Sequence, residues 1–118
     1  MTMQKPMNLQ LVLSAAGDDP ARQPELFALL TLGILESLEN GLLSPTEAIG
    51  IFFNSENCRF VRERMPCKAA DEVMGRGVQL PDLLEALSAE ESHKEFQREI
   101  AAIRRLCLGL LDEHRLVA

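Results

Sequence analysis

The side chains that could do chemistry are few. The chain holds three cysteines, Cys58, Cys67 and Cys107, and two histidines, His93 and His114. A catalytic thiol needs a base within hydrogen-bond reach and positive charge nearby to lower its pKa. Cys58 and Cys67 lie beside Arg59, Arg62, Arg64 and Lys68, which would supply the charge. Cys107 falls in an apolar stripe, where a thiol reads as a small core residue, and His93 falls in the first turn of a helix, exposed. Asp112-Glu113-His114 offers three kinds of metal ligand, yet adjacent helical residues point apart and only those three or four apart share a face. Glu36 with Glu39, and Asp71 with Glu72, are carboxylate pairs with nothing beside them to raise one pKa for acid catalysis. Gly75-Arg76-Gly77 resembles a phosphate loop but lacks the third glycine and the helix start, so a helix C-cap and turn is expected there. These residues assign no catalytic group, no cofactor and no metal ligand, and a non-enzymatic protein is expected.

The densest charged feature is basic. Arg59, Arg62, Arg64, Lys68 and Arg76 stand among only three acids, Glu63, Asp71 and Glu72, in a chain whose 12 Lys+Arg and 18 Asp+Glu sum to −6. Residues up to 57 sum to −5, residues 58–76 to +2 and the remainder to −3. This patch is expected to dock an acidic partner or to form a solvated helix face. Residues 44–64 also resemble a helix-turn-helix, with Ser55 opening the recognition helix, which makes a DNA-binding regulator the alternative reading. Two departures weigh against it: Phe53 stands where the turn glycine belongs, and Asn54 where an apolar residue belongs. The acidic balance repels phosphate over the whole surface, and with neither Trp nor Tyr the best stacking platforms are missing, so nucleic acid is not the expected partner.

Helices must position these side chains. From Pro24 to Leu38 apolar residues cover nearly the whole circumference of a helix that Asn40-Gly41 closes, so a central, mostly buried helix is expected. Gly33 in its middle costs about 1 kcal/mol against Ala, and is expected to admit a close backbone approach. Ser44-Pro45-Thr46-Glu47 is a capping box that opens a second helix; Asn54-Ser55 starts a third, bounded by Pro66. A fourth runs from about Cys67 to Met74, and a short turn of helix from Pro81 to near Leu87. Ser88-Ala89-Glu90-Glu91 is a second capping box at the head of the longest helix, whose stripe is Phe96, Ile100, Ile103, Cys107 and Leu110. A helix reaching about Arg115 would be roughly 40 Å long. Either the shorter helices wrap it, or its stripe pairs two copies in a homodimer, the expected oligomer. Before Pro24, Met7, Leu9, Leu11 and Leu13 alternate like a half-buried strand, with Gly77-Val78-Gln79-Leu80 the one other alternating stretch. The expected architecture is therefore all-α, a compact bundle of about five helices with a long C-terminal helix and a minor N-terminal β-strand. Residues 1–23 form the strand or a flexible segment, and 24–118 a single helical domain.

Composition agrees with an ordinary soluble globular domain, at 47% hydrophobic and 25% charged residues. A chain of 118 residues buries roughly two thirds of its unfolded surface and needs no metal or disulfide to fold. An odd cysteine count without C-x-x-C spacing indicates free thiols in a reducing compartment, so a cytoplasmic location is expected. Asn8 and Gln10 interrupt the apolar stretch that a signal peptide after Lys5 would require, and no apolar run approaches the ~20 residues of a membrane span.

The block Phe27-Ala28-Leu29-Leu30-Thr31-Leu32-Gly33-Ile34-Leu35-Glu36-Ser37-Leu38-Glu39-Asn40-Gly41-Leu42-Leu43-Ser44, followed by Glu47-Ala48, resembles the opening of a family of small bacterial proteins classed as a domain of unknown function. The similarity continues, more loosely, through Phe53-Asn54-Ser55, from Asp71 to Leu87 and into the last helix. The resemblance implies a compact, mainly helical bacterial protein and carries over no activity and no site residue. The expected function is thus a protein–protein interaction module, with an immunity-type protein that masks a basic enzyme as its most specific form.

Overall fold

The computed structural model describes residues 5–15 and 19–117, apart from the side chains of Pro20, Ala86 and residues 114–117. Its elements are α1 (Leu9–Ala15), a 3-10 turn (Pro20–Arg22), α2 (Gln23–Glu39), α3 (Pro45–Ile51), α4 (Ser55–Arg64), α5 (Lys68–Val78), α6 (Leu80–Ala86) and α7 (Ala89–Val117). The all-α architecture and the long C-terminal helix are as expected. Among the described residues there is no strand.

The alternation at Met7 to Leu13 belongs to a helix. Asn8 accepts the Leu11 N–H on its side chain at 3.1 Å and so starts α1, which buries Leu9 and Leu13 and exposes Leu11 and Val12. Four alternating residues fit a strand and a helical i, i+4 pair equally well, and only the neighbouring core decides between them. The other alternating stretch, Gly77 to Leu80, is the junction of α5 with α6.

Local signals set most helix ends. Gly41, at φ 73°, takes the left-handed conformation that ends α2. Ser44 and Glu47 form the reciprocal capping box at α3, and Asn54 caps α4 by accepting the Asn57 N–H at 2.9 Å. At α7, Ser88 Oγ accepts the Glu91 N–H at 3.3 Å.

The core is organised around three phenylalanines. Phe27 of α2 stacks on Phe52 with ring centroids 5.9 Å apart, and Phe52 meets Phe53 edge-on at 5.1 Å. Phe53 lies over Gly77, where a methyl group would sit 2.3 Å from ring carbons. Gly75-Arg76-Gly77 is accordingly no C-cap or turn: α5 runs through it to Val78, because the missing side chain at Gly77 is where Phe53 packs. Gly33 behaves in the opposite way to expectation. It faces open space, with nothing within 4 Å of an added methyl, so no backbone approaches it.

The helix α7 packs along α2, α5 and α6, which together cover it. Its 29 residues span about 43 Å at 1.5 Å each, matching the molecule's longest dimension of 44 Å. Ile100, Ile103, Cys107 and Leu110 are buried within the single chain, and Phe96 is half-buried. The stripe drawn as an oligomer face is therefore occupied by the protein's own shorter helices.

Candidate functional site

The cations expected to form one patch separate in space. Arg59 and Arg62, on the exposed side of α4, line a depression of about 590 Å³ together with Ile49, Phe53, Cys58 and Val78. Lys68, at the start of α5, borders a second depression beside Arg62 and Asp71. Arg62 approaches Asp71 at 3.7 Å, both side chains well exposed, an arrangement worth well under 1 kcal/mol. Arg64 turns to a different side, next to Ala21, Pro24 and Pro66. Arg76 leaves the patch altogether. Its Nη1 donates to both carboxylate oxygens of Glu99 on α7, each at 3.0 Å, and its Nε donates to Glu72 at 3.0 Å. The hydrogen bonds to Glu72 and Glu99 raise its pKa further, and the guanidinium ties α5 to α7 instead of facing a partner. Arg59, Arg62 and Lys68 remain as a ridge along α4 and the head of α5.

Neither perturbed thiol is activated. Burial pushes the Cys58 pKa up, and this outweighs the lowering by Arg62; Asp71 adds to the rise. The nearby cations thus fail to make Cys58 a thiolate, against the charge argument from sequence. Cys107 is pushed up to about 11 by burial, partly offset by the neighbouring Thr31 side chain of α2. Cys67 is half-buried, and His93 is exposed near the head of α7. Among the described residues no group of three His, Cys, Asp or Glu is placed to hold a metal ion; the side chain of His114 lies outside them. Glu39 is paired with Arg104 of α7 and serves the fold.

One polar residue central to the fold carried no sequence signal. Asn57, buried on α4, accepts the Leu9 N–H on Oδ1 at 3.0 Å and donates from Nδ2 to Met7 O at 2.9 Å and Phe52 O at 3.0 Å. With the Met7 N–H donating to Ile51 O at 2.8 Å, it fastens α1 over the α3–α4 corner. Leu9 and Met7 are 48 and 50 residues away, beyond the reach of any periodicity or capping rule. The same contacts place α1 against α4, so Asn57, in the first turn of the would-be recognition helix, faces the protein interior while Ser55 and Glu56 stay exposed. No helix among the described residues is long and apolar enough to cross a membrane.

Similarity supplies a family and no activity. No curated protein and no solved structure matches the chain. The family described as protein of unknown function (DUF3969) matches residues 19–116, from the 3-10 turn through nearly all of α7 and leaving α1 outside. With a match over most of its length, on the helical body that the fold and the ridge share, the chain belongs to this family of proteins of unknown function (DUF3969).

Proposed function

We propose that the protein is a non-enzymatic protein–protein interaction module whose contact surface is the ridge of Arg59, Arg62 and Lys68. The observation that carries this reading is the depression on α4, where two arginines and apolar Ile49 and Val78 share one exposed surface. Val78 is 41% exposed there, at the end of a helix that otherwise buries its apolar face. Cations beside apolar area suit a protein partner carrying carboxylates around an apolar anchor. The free thiols Cys58, Cys67 and Cys107 support work in a reducing compartment such as the cytoplasm. The α7 stripe no longer argues for a homodimer, and the ridge needs none.

DNA binding by residues 44–64 is the competing reading, favoured only by the three-residue turn between α3 and α4. The deciding comparison uses wild type and the double variant Arg59→Glu/Arg62→Glu. Cross-linked capture from the native host, quantified against the variant, is expected to lose a protein partner. The interaction reading fails if the captured set is unchanged, and it gives way to the DNA reading if nuclease treatment alone removes what was lost and gel shifts vanish in the variant.

A further inference from the structure

A second surface, separate from the ridge, lies where α3, α6 and α7 meet. A groove of about 550 Å³ is lined by Pro45, Leu84, Leu87, Ser92, His93 and Phe96. Leu84 is 47% exposed and Leu87 36% exposed, and Phe96 is half-buried beside them. These two open leucines, three residues apart, share one groove with an aromatic ring and so form a contiguous apolar surface. Ser92 does not make the groove polar, because its hydroxyl already donates inward, to Leu83 O at 2.9 Å.

The elements that build the groove are acidic. From Leu80 to Phe96 the chain carries Asp82, Glu85, Glu90, Glu91 and Glu95 against Lys94 alone, and α3 adds Glu47 without any cation. Asp82, Glu90 and Glu91 stand in first turns of helices, where a carboxylate also suits the helix dipole. Glu85 has no such reason: it sits in the last turn of α6, where the dipole disfavours an anion, one residue after exposed Leu84.

We propose that this groove docks a basic amphipathic helix of a partner protein, with leucine-type side chains on Leu84, Leu87 and Phe96 and lysines or arginines toward Glu85 and Glu90. Apolar anchors spaced along one face give the affinity, and the excess of carboxylates on α6 and the head of α7 selects a cationic segment and speeds its approach. This extends the partner-binding reading to a different surface, and its test leaves the ridge untouched. The probe is a fluorescent synthetic peptide of about 18 residues with Leu at i, i+3, i+4 and i+7 and Lys elsewhere. A scrambled peptide of the same composition is the control. The amphipathic peptide is expected to bind, to shift amide resonances of residues 82–96, and to weaken several-fold when salt rises to about 0.5 M. Leu84→Glu and Leu87→Glu, both at exposed positions and checked for native circular dichroism, are expected to weaken it by about tenfold or more. Glu85→Lys/Glu90→Lys is expected to weaken it without altering the apolar lining. Equal binding of the scrambled peptide, or full binding by Leu84→Glu, overturns the proposal. So does a concentration-dependent self-association that Leu84→Glu abolishes, since the occupant would then be a second copy.

Discussion

At the scale of single residues, two glycines in helix interiors have opposite meanings. A methyl group at Gly77 would press into the Phe53 ring, so Gly77→Ala is expected to destabilise by about 1–3 kcal/mol despite better helix propensity. At Gly33 the space is open, so Gly33→Ala is expected to stabilise by about 0.5–1 kcal/mol. Urea unfolding of the two variants measures both signs. Cys107 gives a pH signature. Below the free thiol's 9.0 both states keep its proton; above that the unfolded chain loses it while the folded one keeps it to about 11. Stability is therefore lost as pH rises through this window, by up to about 2–3 kcal/mol. Unfolding curves for wild type and Cys107→Ala between about pH 8 and about pH 11 isolate that slope, which is expected to be absent in the variant.

At the scale of elements, the helix starts from α2 onward were legible and the joints between distant segments were not. Ser44 and Ser88 announce α3 and α7 through side chains that reach only three residues onward. Ser44→Ala is expected to cost about 1 kcal/mol in thermal unfolding through loss of its box. The helix α1 is held differently, by the buried amide of Asn57. Asn57→Ala leaves the Leu9 N–H and two carbonyls without their partner and is expected to cost about 2–3 kcal/mol. Its effect should be uneven: hydrogen exchange at Leu9–Leu13 is expected to rise well before exchange in α7. The continuation of α5 through Gly75 and Gly77 was equally hidden, since glycines that end helices and glycines that admit a ring read alike in one dimension.

At the scale of the whole molecule, the −6 charge conceals a cationic ridge along α4 and an apolar groove set among the acid-rich α6 and head of α7. The two surfaces were unequally visible. Three of five basic residues, Arg59, Arg62 and Lys68, keep the character that clustering in sequence suggested, whereas Arg76 is drawn into α5–α7 packing by Glu99, 23 residues onward. The groove was not visible at all, because Pro45 and Leu84 come from elements brought together only by α3 packing on α6. With the α7 stripe occupied by α2, α5 and α6, light scattering is expected to report a monomer of 13.1 kDa.

The sequence by itself determined what depends on near neighbours: helical periodicity, the caps at Ser44, Asn54 and Ser88, the break at Gly41 and the length of α7. These are set by interactions within about one helical turn, so each is written in a few adjacent residues. Only the tertiary structure decided that Met7 to Leu13 coils instead of extending, that Gly77 and not Gly33 is the point of close approach, and that the α7 stripe faces inward. Those outcomes turn on which apolar faces meet, a competition between long-range contacts whose winner no local pattern records.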